Sequence, residues 1–311
     1  MRTEDIYTLD GVYREPMRVQ GYFFGKGKKA ACIVGSLRGN EIQQLYVCSQ
    51  LVKALEELEK KGAIAANNEI LVIPAVNLYS MNIERRFWPL DNTDINRMFP
   101  GYSEGETTQR IAGGVFSRVK DYGYGIQFTS FYTPGDFVPH VRIMDTGHTN
   151  ESLSNLFGLP YAVLRKPRPI DTATLNYNWQ IWESSAFSVY TKETDCIDEA
   201  SAQQAVAAVL RFLTRMGVIR YHSHSGYIAS IIKEEELRTV HADAGGIYRR
   251  HAKPGDEVVC GEVMAEILHP YEGYVMSQVI APVDGIVFFA HKKPLVREHE
   301  IVYRLIKRLH L

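Results

Sequence analysis

Four short stretches bring together side chains able to do chemistry. Asp94-Ile95-Asn96-Arg97 sets a neutral amide beside a planar guanidinium fork, a pairing suited to gripping a carboxylate through two parallel hydrogen bonds. Just upstream, Arg85-Arg86-Phe87-Trp88-Pro89 offers a second cation able to polarise a carbonyl and stabilise an oxyanion. The alternative for these arginines is structural: pairing with Asp91 and Asp94 would pin the loop that carries them. Glu193 follows an apolar run, at what should be a sheet edge. Partly withdrawn from water, a carboxylate there can serve as general base toward water; in solvent it is an ordinary strand-end residue. Arg38-Gly39-Asn40-Glu41 puts a cation, an amide and a carboxylate in one turn. That turn reads either as a plain βα corner or as polar groups presented at the carboxyl edge of a sheet.

The elements that must position these residues are marked by their apolar periodicity. Ala30-Ala31-Cys32-Ile33-Val34 reads as a buried strand that runs into the Arg38 turn. Glu41 to about Lys61 reads as a helix with Ile42, Leu45, Cys48, Val52, Leu55 and Leu58 on one face. Met17–Phe24 reads as an edge strand or hairpin, and Ile70–Ala75 as the next buried strand, whose end leads to Asn77. The polar stretch from Tyr79 to Gly105 reads as one long loop, a length that is uncommon unless functional. Thr107–Asp121 and Glu199–Met216 read as helices; Tyr124–Thr129, Val138–Ile143, Tyr161–Leu164 and Ala186–Thr191 read as strands. Strands alternating with helices argue for a layered α/β domain with a largely parallel or mixed sheet.

After about Tyr221 the pattern changes. Gly245-Gly246, Pro254-Gly255-Asp256, Gly261-Glu262, Glu272-Gly273 and Pro282-Val283-Asp284-Gly285 punctuate short β-rich runs, which predicts a small all-β domain of hairpins. The expected division is 1–224 and 225–311. The punctuation is that of the barrel-sandwich hybrid of biotinyl and lipoyl carriers. The corresponding hairpin tip, Ile267–Tyr274, has no lysine to carry such a group, and Lys292-Lys293 reads as a solvated turn.

The totals exclude several classes. Thirty-five basic against thirty-six acidic residues give a formal charge of −1, so nothing points to nucleic acid or an anionic membrane. No apolar run approaches the roughly 20 residues that span a bilayer, and Met1-Arg2-Thr3-Glu4-Asp5 lacks the apolar core of a signal peptide. Cys32, Cys48, Cys196 and Cys260 are scattered, without the spacing of a zinc knuckle or a disulfide framework. The expectation is a soluble, cytoplasmic protein.

Taken in order, these pieces resemble the succinylglutamate desuccinylase/aspartoacylase family, relatives of the zinc carboxypeptidases, over most of the chain. Arg38-Gly39-Asn40-Glu41 is similar to the family's H-G-N-E turn. Asn77, Arg85–Asp91 and Asp94-Ile95-Asn96-Arg97-Met98-Phe99-Pro100-Gly101 are similar to its N-P-x-A, R and D-L-N-R-x-F-P-G segments. Ser188-Val189-Tyr190-Thr191-Lys192-Glu193 resembles the segment that carries the catalytic glutamate. The resemblance implies a three-layer zinc-peptidase-like α/β domain with a central mixed sheet, followed by an all-β barrel-sandwich domain. It implies hydrolysis of the amide bond of an N-acyl amino acid or similar small carboxylate, with zinc held by His, Glu and His.

The departures fall on the metal ligands. Arg38 stands where the first histidine would, Phe128 where the second would and Ile126 where the adjoining Asp would; Glu41 alone of the three ligand positions remains. An arginine carries no lone pair for a metal, and zinc catalysis needs three protein ligands. His140 or His148 would be the replacements at hand. Two readings of function follow. In one, the chain is a hydrolase: Asn96 and Arg97 grip the carboxylate, Arg85 or Arg86 polarises the carbonyl, and Glu193 is the base. In the other it is a catalytically silent relative that binds a small anionic ligand, with Arg38 in the electrostatic place of the metal. The expected partner is a small carboxylate-bearing molecule, and a homo-oligomer is left open.

Overall fold

The run Ala30–Val34 is buried on both faces, as a central strand covered by helices on each side must be. The computed structural model describes residues 1–11, 15–131, 133–147, 151–222, 224 and 226–308. The chain divides into one unit of 1–130 with 139–231 and a second of 131–138 with 232–311.

In chain order the elements are β1 (Arg2–Leu9), β2 (Met17–Gly25), β3 (Lys28–Ser36), α1 (Ile42–Lys60), β4 (Asn68–Ala75), α2 (Leu78–Met81), α3 (Thr107–Val119), β5 (Tyr124–Phe128), β6 (Gly135–Phe137), β7 (His140–Met144), β8 (Tyr161–Arg165), α4 (Leu175–Ile181), β9 (Ser185–Tyr190), α5 (Glu199–Arg215) and β10 (Ser230–Lys233). Strands β1-β2-β4-β3-β5-β9-β7-β8-β10 form one sheet in that order. β3 runs parallel to β4 and β5, and β5 parallel to β9, so their carboxyl ends share one edge; β7 is antiparallel to β9. Side-chain alternation divides the faces. Ile33, Ile126, Phe128, Phe187 and Val189 pack with α1 and α5, whereas Cys32, Val34 and Ala186 pack with α3 and α4. This is the expected three-layer α/β architecture with a mixed sheet.

Several details depart from the periodicity reading. The buried stripe of α1 is Val47, Cys48, Leu51, Leu55 and Leu58, and it begins with the amides Gln43 and Gln44 rather than Ile42 and Leu45. Those amides are used: Gln44 Nε2 donates to the Thr129 carbonyl, and Gln43 bonds the start of α5. The stretch 79–105 holds α2 and a single 3-10 turn, Ile95–Arg97. Met17–Gly25 forms a hairpin with β1, an additional strand outside it. No helix among the described residues is long and apolar enough to cross a membrane.

The second unit contains β6 and then β11 (Arg238–His241), β12 (Gly246–Arg250), β13 (Glu257–Val258), β14 (Val263–Leu268), β15 (Val275–Ile280), β16 (Gly285–His291), β17 (Leu295–Val296) and β18 (Ile301–Lys307). Two antiparallel sheets, β11-β18-β16-β13 and β15-β14-β12-β17, enclose Met264, Ala265, Ile267, Val287 and Tyr303. β6, from the middle of the chain, adds to the first by pairing with β16. Its Asp136 is ion-paired to Arg250 at 2.7 Å, and its Phe137 ring lies 4.9 Å from that of Phe289.

The loop after β9, which carries Glu193, is tied to the first turn of α1. Gln43 N–H donates to the Thr194 carbonyl at 3.0 Å, its amide nitrogen donates to the Asp198 carbonyl at 2.9 Å, and Asp198 N–H returns a bond to the Gln43 amide oxygen. Asp198 also caps α5, its carboxylate accepting from Ser201 N–H at 2.8 Å. Burial alone would raise the Asp198 pKa, but the bonds from Ser201 and the nearby Lys192 hold it below the ordinary carboxylate value. A depressed carboxylate stabilises the fold above its unfolded pKa and loses that contribution as pH falls through the folded one. Replacing Asp198 by Ala is expected to cost about 1 kcal/mol at neutral pH. Urea unfolding checks this, and the difference from wild type should shrink below about pH 3.9.

Candidate functional site

The parallel strands β3, β5 and β9 end at one edge, and there the chain gathers its buried charges. Beyond β3 the backbone turns through Leu37–Asn40 into α1. Gly39 is required there, since a Cβ would lie 2.3 Å from the Arg85 carbonyl oxygen. Its N–H donates to the Arg86 carbonyl at 3.3 Å, so the turn is held against the Arg85-Arg86 loop.

Glu41, fully buried, is the centre of the arrangement. Its Oε2 accepts from the N–H groups of Leu37 and Arg38 at 3.0 and 3.1 Å. Its Oε1 accepts from Arg38 Nη1 at 3.1 Å, from Ser130 N–H at 3.2 Å and from Ser130 Oγ at 2.6 Å. The rest of the Arg38 fork meets Asp94, Nε and Nη2 both lying 3.0 Å from Oδ2. Asp94 Oδ1 accepts from Asn96 N–H at 3.0 Å. One guanidinium thus lies between two carboxylates with 3% of its surface exposed. Burial alone would lower the Arg38 pKa, but Asp94 and Glu41 hold it well above its ordinary value.

The other expected site residues are near this edge and already engaged. Asn96 is buried, and its Oδ1 accepts from Leu175 N–H at 3.1 Å, which anchors the start of α4. Arg97 Nη1 donates to the Ile170 carbonyl at 2.6 Å and to Asp171 Oδ1 at 3.1 Å. Asp171 is shared: its Oδ2 accepts from Arg165 Nη2 at 2.6 Å and from Arg168 N–H at 2.9 Å. Arg85 is exposed, while Arg86 is half-buried with its guanidinium 5.7 Å from the Phe87 ring centre. Glu193 is half-buried just past β9, its carbonyl accepting from Thr191 Oγ1 at 2.9 Å. Asn77 caps α2 by accepting from Ser80 N–H.

The expected second-ligand position is filled by a core side chain. Phe128, aligned with the second histidine, points into the core with Ile126 on the α1 and α5 side. The residue of that strand which reaches Glu41 is Ser130, two positions on. His140 lies at the same edge, opposite Tyr190 and stacked on its ring at 4.7 Å; His148 lies outside the described residues. Among the described residues, no three His, Cys, Asp or Glu side chains are gathered to hold a metal ion.

Behind the edge is a polar layer that periodicity did not reveal. Gln127, Ser188 and Arg142 are neighbours across β5, β9 and β7. By alternation they share the face of Val34 and Ala186, toward α4. Trp179 of α4 packs on Gly125, where a Cβ would come within 2.5 Å of the ring. Asn176, three residues before Trp179 on α4, is also buried. Gln127 Nε2 and both amide atoms of Asn176 are buried without a partner among the described residues. Such groups are met by water or by a polar ligand.

Residues 27–124 match the model of the succinylglutamate desuccinylase/aspartoacylase catalytic domain. That stretch, about a third of the chain, is similar to the catalytic domain of that family. Its members act as deacylases on N-acyl amino acids and are typically zinc-dependent. A curated relative, the N-alpha-acetyl-L-2,4-diaminobutyric acid deacetylase of Halomonas elongata, is 28% identical over 89 residues; these are 29% of this chain and only 24% of that protein. Among solved structures, a succinylglutamate desuccinylase from a Silicibacter species superposes with a TM-score of 0.81 at 16% identity, covering 96% of this chain and 91% of that one. An aspartoacylase family protein from Mesorhizobium loti gives 0.79 at 20% identity, covering 100% and 95%. Both likenesses concern the fold, including the carboxyl-terminal β domain.

Proposed function

We propose that this chain binds an N-acyl amino acid, or a similar small carboxylate, at the carboxyl edge of its sheet without the zinc of the family it resembles. The observation that carries this reading is the Arg38 guanidinium seated on Glu41. Both oxygens of the one remaining ligand residue are taken by donors, and a fixed cation occupies its reach, where it would repel a second one. The residues present therefore do not fit a zinc ion. Carboxylate recognition is assigned to Asn96 and Arg97, with Arg85 and Arg86 alongside. The unpartnered amides of Gln127 and Asn176 support a polar ligand in the same region. Arg38, whose donors are spent on Glu41 and Asp94, contributes charge balance rather than direct grip.

A second reading keeps amide hydrolysis, with Glu193 activating water and Arg85 or Arg86 polarising the carbonyl. The half-buried placement of Glu193 at the end of β9 and the deacylase activity of the family favour it. A lone general base contributes about 10²–10⁴-fold, a small part of the barrier to amide hydrolysis. Four cysteines without disulfides suit a cytoplasmic setting for either reading.

Protein purified without chelators is expected to hold no stoichiometric zinc, and N-acetyl amino acids are expected to raise its melting temperature. In Arg97→Ala, measured against its own ligand-free midpoint, that rise should vanish. Stoichiometric zinc sinks the metal-free reading, and an unchanged ligand shift in the variant sinks the role of Arg97. Release of free amino acid by metal-free protein would select hydrolysis over binding.

A further inference from the structure

An open β-sheet ends in strands whose outer backbone groups lack a partner, and proteins keep such edges from pairing with charges, prolines or bulges. The edges of this chain follow that rule with one exception. β1 carries Arg2, Glu4 and Asp5; β10 ends in Lys233; β11 carries Arg238 and His241; β13 carries Glu257; β17 is only two residues long. β15 reads Val275-Met276-Ser277-Gln278-Val279-Ile280, six residues without a charge or a proline. Among the described residues its one ladder partner is β14. Val279 faces the core, while Met276, Gln278 and Ile280 alternate outward and are exposed.

We propose that β15 pairs antiparallel with β15 of a second copy of this chain, with Gln278 opposite itself on a two-fold axis. An axis normal to the sheet keeps inward residues opposite inward ones, which requires that one residue face its own copy. With Gln278 in that place, Met276 meets Ile280 twice on the outer face and Ser277 meets Val279 twice on the inner face. Each Gln278 amide can donate to the carbonyl oxygen of the other. Pro282 cannot donate to a ladder and ends the pairing just beyond Ala281.

Charge selects a second copy as the occupant. In a self-paired strand every charge lies close to its own duplicate, so neutrality is the condition for pairing; a strand built for a charged foreign partner would carry the complementary charge. The nearest carboxylate, Glu266 on β14 opposite Gln278, is neutralised by Arg249 at 2.5 Å and faces His251 at 3.0 Å. In the pair it would lie about 14 Å from its duplicate, three strand spacings away and beyond the screening length at physiological salt.

Sedimentation equilibrium of the full chain tests this. Wild type is expected at twice the 35.3 kDa of the chain. Gln278→Lys places two ammonium groups opposite each other on an exposed position, and is expected to raise the dimer dissociation constant about tenfold or more. Gln278→Cys is expected to form an intermolecular disulfide on mild oxidation, with Cys260→Ser in the background to remove the other exposed thiol of the second unit. A monomeric wild type overturns the proposal. So does a dimer that is indifferent to the lysine, or one that fails to cross-link through position 278.

Discussion

Arg38→Met is expected to destabilise the chain by about 3–5 kcal/mol, because it removes the one cation between two buried carboxylates. Glu41 would keep the N–H groups of Leu37 and residue 38 and the two donors of Ser130. Asp94 would keep the N–H of Asn96. Neither set of donors carries a full positive charge, so part of the desolvation cost of each carboxylate is left unmatched. Arg38→Lys should recover little, since one ammonium on a flexible stem cannot span Glu41 and Asp94 as the planar fork does. Adding Glu41→Gln to Arg38→Met should restore part of the loss, giving a coupling of about 1 kcal/mol or more between the two positions. Urea midpoints at unchanged m-value, with Glu41→Gln alone to complete the cycle, measure all five proteins. Single-variant losses within about 0.5 kcal/mol would mean that Arg38 does not neutralise buried charge, and would reopen its place beside Glu41 to a metal ion.

The companion expectation runs in the opposite direction. The double variant Arg38→His/Ser130→His should bind one zinc ion per chain where wild type binds none. Position 38 lies three residues before Glu41, and Ser130 Oγ already reaches Glu41 Oε1 at 2.6 Å. Imidazoles at both places would flank the carboxylate and complete a His, Glu, His set, leaving a fourth position open. The same change removes the guanidinium that opposes a cation. Zinc present at about a hundred times its dissociation constant would stabilise the variant by about 2.7 kcal/mol and leave wild type unmoved. Metal content after dialysis, read together with melting temperatures with and without zinc, decides the matter. A double variant that retains no zinc would place the obstacle somewhere other than residues 38 and 130.

How far the sequence reveals this molecule depends on where its information is stored. β3, β4, β5 and β9, with α1, α3 and α5, are legible because burial on a sheet face or helix stripe repeats at a fixed period. β1 escapes that reading because its charges pair sideways, Arg2 with Glu4 and Glu69, and Arg118 with Glu4. α4 escapes it because Asn176, Asn178 and Gln180 are buried polar residues that break the apolar stripe of Leu175 and Trp179. At the site, the Arg38–Glu41 pair is legible from adjacency alone. The contribution of Ser130 is not: it comes from 89 residues away, and alignment by motif selected Phe128, a core side chain two residues earlier. Likewise, Asp171 between Arg97 and Arg165 lies too far along the chain from Arg97 for spacing to suggest it.

The detour of residues 131–138 sets the order in which the chain can be finished on the ribosome. The chain leaves the first unit directly after Ser130, contributes β6 to the second, and returns at Pro139. β6 must wait for β16, about 150 residues later, which at 5–20 residues per second means roughly 8–30 s of synthesis. Throughout that interval Phe131 and Phe137 have no β16 rings to pack on, and for the first 114 residues of it Asp136 has no Arg250. A nascent chain cut off near residue 231 would therefore keep a sticky, unpaired strand in its middle. The second unit is thus finished around a strand made long before the rest of it.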